Sequence, residues 1–223
     1  MRGGFGSGGR YGRVRLVLVL TAALVFGGPV AGSWVGPALP AAAAEVPRDA
    51  GSFLAELSQR AIAELTEEGL TEDEKQRRFR RLLNEGFDVP AIARFVLGRY
   101  WRSASESERR DFLQTFEDSM VFRFLPILGD YTGDTLEVHK VRPFGKTPDV
   151  FDVESQLNRQ EGPPVRIHWR IHKDAAGFQI LDVLAEGVSV AVTLRSEYRS
   201  VLKQHGGKVG ALNRILRDKI AGL

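Results

Sequence analysis

Three sets of residues in this chain have the types and spacings that chemistry uses. Gly187-Val-Ser189-Val-Ala191 lies between a strand pattern and a helix pattern, the context of a nucleophile elbow. The last position of that motif is Ala191 instead of Gly. Only His205 follows it, and Glu197 is the sole carboxylate in between. Ser189 therefore reads better as the N-cap of a helix starting at Val190. His168 and His172 have the four-residue spacing of a helical zinc pair. On a strand, at about 3.3 Å per residue, they stand roughly 13 Å apart, too far to share a metal, so they read as solvent-facing and no metal site is expected. Asp182, in an otherwise apolar strand, is the one candidate for an acid or base inside a pocket; the alternative is a carboxylate paired with a backbone or arginine neighbour.

Other patterns fall away on context. Gly4-Phe-Gly6-Ser-Gly-Gly9 matches a dinucleotide fingerprint by letters, but no strand precedes it. Gly145-Lys146-Thr147 resembles the end of a phosphate loop, yet residue 140 is Lys140 where the loop needs Gly, and Pro148 forbids the helix. It reads as a hairpin turn. The basic run Lys75–Arg81 is surrounded by Glu67, Glu68, Glu72, Asp73 and Glu74 and reads as a solvated helix face, with lipid headgroups or a partner as the alternative. Arg99, Arg102, Arg109 and Arg110 allow the same two readings.

The elements that would position these residues begin after an export signal. Arg2, Arg10, Arg13 and Arg15 precede an uncharged run, Leu16–Phe26, and a Gly/Pro/Ala stretch ends at Ala41–Ala44. A basic start, a short apolar core and a small-residue site make a Sec-type signal peptide over 1–44, with the periplasm as destination. The distance from Phe26 to Ala44 also leaves cleavage after Ser33, or an uncleaved inner-membrane anchor, as alternatives. The whole chain carries 31 Lys and Arg against 28 Asp and Glu. Removing the four signal arginines leaves 27 against 28, a net charge of −1, which argues against nucleic-acid binding. The chain has no Cys, so disulfides are excluded and a core must supply stability.

Residues 45–223 read as one α+β domain. Over 48–128 the apolar spacing is helical. Helices are expected near 53–65, from the Thr71–Glu74 capping box to about Asn84, over Val89–Leu97, and from the Ser105–Glu108 capping box to Leu125. The period then changes to two. Strands near 135–142, 149–158, 164–173 and 177–185, joined by short Gly/Pro turns, form an antiparallel four-stranded meander. In the third strand Val165, Ile167, Trp169 and Ile171 face one way, and Arg166, His168, Arg170 and His172 the other. The fourth strand is apolar on both sides and is expected to lie deeper. Helices at 190–204 and 208–220 close the chain.

The segment Phe87-Asp-Val-Pro-Ala-Ile-Ala-Arg-Phe-Val-Leu-Gly-Arg-Tyr-Trp101 resembles the signature of the MlaC, or toluene-tolerance, family. The Ser/Glu-rich helix start with Phe112 and Phe116, Tyr131-Thr-Gly133, Asp182–Ser189 and Tyr198-Arg199 follow in that family's order. The resemblance spans about 50–220. It implies a curved sheet related to the NTF2-like fold, covered by N- and C-terminal helices and enclosing a deep apolar pocket. It implies a periplasmic carrier that catalyses no reaction and needs no cofactor. Its ligand would be a phospholipid, or a hopanoid in one branch of the family. Its partners would be an inner-membrane ABC transporter bearing an MCE-domain subunit and an outer-membrane lipoprotein complex. Pocket-lining residues are expected to include Tyr100, Trp101, Phe116, Met120, Phe124, Val153, Trp169, Leu181, Val183 and Val188. The rival reading is an NTF2-like enzyme acting on a small apolar substrate through Asp182.

Overall fold

The structure, a computed structural model, describes residues 48–129, 133–160, 162–175 and 177–222. The export segment and Tyr131 lie outside the described residues. Five helices come first: α1 (Arg48–Leu65), α2 (Glu72–Gly86), α3 (Val89–Leu97), α4 (Arg99–Ser103) and α5 (Glu106–Gly129). Four long strands follow, β1 (Thr135–Phe144), β2 (Thr147–Asn158), β3 (Val165–Asp174) and β4 (Gly177–Ala185), then the two-residue β5 (Val188–Ser189), α6 (Val190–Gln204) and α7 (Val209–Ile220).

The helix starts follow from their caps. Thr71 Oγ1 accepts the Glu74 amide at 3.2 Å, and Asp88 Oδ1 accepts the Ala91 amide at 2.9 Å. At α5 the box is reciprocal: the Glu108 amide donates to Ser105 Oγ at 3.2 Å, and the Ser105 amide donates to Glu108 Oε2 at 2.9 Å. These bonds also hold the Glu108 carboxyl below the ordinary Glu range, the Ser105 backbone donor contributing most. α5 continues past the expected stop at Leu125, carrying Pro126 inside its last turn. Proline removes one amide donor there, and the helix tolerates the loss so near its end. α4, a single turn after Gly98, has no periodic signal to announce it.

The sheet is an open antiparallel meander in the order β1-β2-β3-β4-β5, one short strand more than the four expected. A bulge between Val138 and Lys140 keeps Val138 and Val141 on the same face, because His139 is the extra residue. A second irregularity lies between Arg170 and Ile171, where the partner residue passes from Asp182 to Ile180 and Leu181 is left over. The apolar run in β4 reflects this bulge, not depth. Only Ile180 of β4 is buried and the rest of the strand is half-buried, which corrects the expectation of a deeper strand.

Burial falls into two clusters. One lies between the N-terminal half of α1 and the sheet: Ala50, Leu54, Phe151, Val153, Ile171 and Ile180. Its closeness depends on Gly51, where an added Cβ would stand 3.0 Å from Val141 Cγ2. The other is all-helical, built on Phe112, Phe116, Val96, Leu97, Leu194, Leu202 and Leu212. Tyr198 stands edge-on to Phe112 and Phe116, each at 6.3 Å, with its hydroxyl 3.3 Å from Ser119 Oγ. Burial pushes the Tyr198 phenol up. Leu57 and Phe87 are half-buried members of both clusters, and elsewhere the two cores do not merge.

Candidate functional site: an apolar cavity

Between the two cores lies a cavity of about 380 Å³. That falls within the roughly 300–1,000 Å³ of ligand pockets and far above the roughly 30 Å³ a water molecule occupies. α1 forms one wall with Leu54, Leu57, Ala61, Ile62 and Leu65, and α2 adds Phe79, Leu82 and Leu83. Phe87 and Ile92 follow, then Phe116, Met120, Phe124 and Ile127 along α5. The sheet contributes Leu136, Leu157, Ile167, Trp169, Leu181 and Val183, and α6 contributes Val190, Ala191 and Leu194. The polar residues at the wall are Ser58, Thr66, Asp134 and Asp182. Exposed residues cluster where α1 and α5 end and β1 begins. Ile127 there is 58% exposed, and Thr66 is exposed as well, so this end is the mouth.

The two polar groups with charge are both engaged. Asp134 accepts the Gln160 amide at 3.0 Å. Asp182 receives three donors: the Val183 amide at 2.9 Å, the Ala191 amide at 3.0 Å and the Ser189 hydroxyl at 2.6 Å. Ser189 Oγ in turn accepts the Val192 amide at 3.0 Å, as an N-cap does. Asp182 is thus the anchor that ties the start of α6 to β4, with its charge favourably placed at a helix N-terminus. Three donors engage its two oxygens at that joint, where it serves as a structural anchor.

Trp169 is held from the neighbouring strand. Its Nε1 donates to Ser155 Oγ at 2.8 Å, and that hydroxyl donates to the Ile167 carbonyl at 3.2 Å. Ser155 is fully buried, so these bonds are what satisfy it. The indole can then present its ring to the cavity without leaving its N–H unpaired.

Six of the ten residues expected at a pocket line this one: Phe116, Met120, Phe124, Trp169, Leu181 and Val183. The other four lie elsewhere. Val153 is fully buried in the core between α1 and the sheet and does not line the cavity. Val188 is 38% exposed in β5, beyond the turn at Glu186 and Gly187. Tyr100 and Trp101 sit on α4, which the positive φ of Gly98 (56°) turns away from the cavity. Tyr100 instead abuts Gly207, and Trp101 lies near the guanidinium carbons of Arg94 and Arg109, 5.8 and 5.6 Å from its ring centre. Sequence reasoning missed the α1 and α2 walls. Their stripe was legible, but spacing alone assigns it to a core and says nothing of a void.

The histidines are less exposed than expected. Each stands beside its own carboxylate: His168 Nδ1 is 3.3 Å from Asp152 Oδ2, and His172 Nε2 is 3.4 Å from Asp88 Oδ2. Among the described residues no group of three or more His, Asp or Glu is placed to hold a metal ion. The basic run on α2 is neutralised within the fold. Arg77 and Arg78 bind Glu74, Arg78 also binds Glu67, Arg80 bridges Glu117 and Asp118, and Arg81 meets Glu64.

A family model described as MlaC protein matches residues 55–218. Among solved structures, the chain resembles a phospholipid-binding protein from Ralstonia solanacearum, determined in complex with a phospholipid. The two share 19% sequence identity and superpose with a TM-score of 0.68, over 78% of this chain and 98% of the other. At that identity the likeness speaks for the fold. No helix among the described residues is long and apolar enough to cross a membrane.

Proposed function

This chain belongs to the MlaC family, and from that membership and the cavity we propose that it is a phospholipid-binding carrier whose acyl chains occupy the space between its two cores. The observation that carries the reading is that apolar void, nearly all hydrocarbon at its walls and open at one end. An acyl chain is the ligand that such a wall suits. Each buried CH₂ contributes about 0.8 kcal/mol, so a sixteen-carbon chain gains on the order of 10 kcal/mol on entry. The charged headgroup stays at the mouth, where water reaches Thr66 and Ile127.

Binding of that strength makes unaided release slow, since affinity of this size resides in the off-rate. A carrier of this kind works with partners that open the cavity. The family resemblance supports an MCE-domain ABC transporter on one side and an outer-membrane lipoprotein complex on the other, with the periplasm between them. The export-signal pattern over residues 1–44 agrees with that location. The reading assigns the chain no reaction; Asp182, its candidate acid or base, is engaged as the α6 anchor.

The test is native mass spectrometry of the gently purified protein, followed by organic extraction and lipid analysis. The expected result is a mass increment that extraction identifies as phospholipid. A triterpenoid in its place would redirect the reading to hopanoids. Repeated recovery of protein free of any lipid, with binding of added phospholipid also absent, would overturn it.

A further inference from the structure

The arginines on α2 and those around α3 and α4 differ in their partners. Those on α2 are consumed by ion pairs with Glu64, Glu67, Glu74, Glu117 and Asp118. Those around α3 and α4 are not: among the described residues, no carboxylate lies within ion-pair distance of Arg94, Arg99, Arg102, Arg109 or Arg195. They lie together. The guanidinium carbon of Arg195 stands 4.7 Å from the Phe95 ring centre, and its Nη2 would be 3.1 Å from a Cβ on Gly98. Arg94 and Arg109 lie near the Trp101 ring, and Arg99 lies 4.9 Å from the Tyr100 ring centre. Arg109 also donates to the carbonyls of Trp101 and Arg102, at 2.9 and 3.2 Å.

Stacking on rings holds Arg94, Arg99, Arg109 and Arg195 in place without neutralising them. A surface that carries exposed arginines without carboxylate partners among the described residues beside an exposed aromatic has electrostatic work left to do. Phe95 is 42% exposed at its centre. The patch also has a definite position. It spans α4 and the outer faces of α3 and α6, and the inner faces of those last two helices give Ile92, Val190, Ala191 and Leu194 to the cavity wall.

We propose that this Arg94–Phe95–Arg99–Arg102–Arg195 face is a docking surface for an anionic phospholipid bilayer. Guanidinium groups bind phosphate through paired N–H donors, and basic residues near an anionic membrane each contribute to attraction. Aromatic side chains favour the headgroup boundary, where Phe95 supplies the apolar element and Tyr100 and Trp101 the amphipathic ones. The choice of a bilayer over an acidic protein rests on the proposed carriage of lipid, because the partners that load and unload such a carrier are embedded in membranes and docking beside them brings this face to a bilayer. The patch itself is independent of that reading.

The absence of native Cys allows a direct test on the full chain. Phe95→Cys carrying an environment-sensitive fluorophore is mixed with phosphatidylcholine vesicles, with and without phosphatidylglycerol. The expected result is a blue shift and a rise in emission on the anionic vesicles, reversed by salt, with little change on phosphatidylcholine alone. A label at Lys146→Cys, on the β1–β2 turn outside this face, stays aqueous on both, even where the N-terminal arginines hold the chain to the vesicle. Arg99→Gln/Arg102→Gln/Arg195→Gln lowers the position-95 response at a given vesicle concentration by at least ~10-fold. The exposed pair Arg99→Gln/Arg102→Gln lowers it by less and serves if the triple variant folds poorly. An aqueous label on anionic vesicles, or equal responses on both kinds, overturns the proposal. A larger response to polyglutamate than to vesicles reassigns the face to an acidic protein. The triple variant still retains its extractable lipid, so loss of docking and failure of the cavity reading give different results.

Discussion

Val183→Asp tests the cavity most sharply, because its cost can be worked out and has a signature that packing damage lacks. Val183 lies on the wall beside Trp169, its partner in the β3–β4 register. In the empty protein the cavity is open at its mouth and the new carboxylate can be hydrated, so folding is affected modestly. When hydrocarbon fills the cavity that hydration is lost, and the group escapes most cheaply by taking up a proton. Protonating an ordinary Asp, with a pKa of about 3.9, at pH 7 costs about 4 kcal/mol, a loss of about 1,000-fold in affinity. The penalty shrinks by about 1.4 kcal/mol for each unit the pH falls, so affinity recovers about tenfold per unit between pH 7 and pH 5. Val183→Asn, which cannot titrate, shows a smaller and pH-independent loss. Displacement of a fluorescent phospholipid from the lipid-stripped protein measures both, with circular dichroism confirming the fold. A pH-flat loss in Val183→Asp equal to that of Val183→Asn would refute the idea that hydrocarbon occupies this wall.

Other changes address the supports. Ser155→Ala strands the Trp169 indole N–H in a part-buried site and costs about 1–2 kcal/mol in denaturant unfolding, with an altered tryptophan emission spectrum. Unchanged stability and emission would show that Ser155 does not hold the ring. Asp182→Asn keeps one acceptor oxygen for three donors and loses the charge at the start of α6, so about 1.5–3 kcal/mol of stability is expected to go while lipid binding survives. If instead the variant abolished a measurable turnover and left stability alone, the enzyme reading would regain its footing. Glu197 is held below the ordinary carboxylate range chiefly by the Arg123 side chain, against the opposing effect of burial. Its contribution is therefore present above the unfolded Glu pKa, near 4.3, and is lost as pH falls through the lower folded value. With side chains 41% and 45% exposed, the pair is worth about 0.5 kcal/mol. Glu197→Gln should accordingly lower the melting temperature by about 1–2 °C at pH 7 and converge with the parent near pH 3. A gap that persists in acid would contradict this assignment.

The elements were legible because their signals are local. Thr71, Asp88, Ser105 and Ser189 each cap the helix that their position in the sequence announces, and the period change after Gly129 marks the sheet. What failed to read locally was what depends on a neighbour. The apolar run in β4 looked like depth because a bulge at Arg170 and Ile171 cannot be seen from one strand. Tyr100 and Trp101 have the composition of pocket residues, but the turn at Gly98 decides which way they face. Val153 and Val183 are the same residue type in one row of the sheet, on either side of Trp169. One lies within the core and the other on the wall, and only the path of α1 across the sheet separates them. Filling and lining use the same side chains, so sequence supplies the candidates and the third dimension divides them.

An apolar void in water should close, since each methylene on its wall gains by touching another. This one stays open because its walls are fastened by polar bonds and close packing, which collapse would have to break. Ser155 holds Trp169 from the neighbouring strand, on the same face of the sheet. Asp182 fixes the first turn of α6, and with it Ala191 and Leu194. Leu57 is seated against α2, where an added Cβ on Gly86 would lie only 2.5 Å from Leu57 Cδ2. Moving any of these inward breaks a buried hydrogen bond or a tight backbone approach, and the cost exceeds the gain from a few new dispersion contacts of about 0.1–0.2 kcal/mol each. An incoming hydrocarbon chain supplies the missing contacts without breaking those bonds. Rigidity of the wall is thus what turns a gap between two cores into affinity for a ligand.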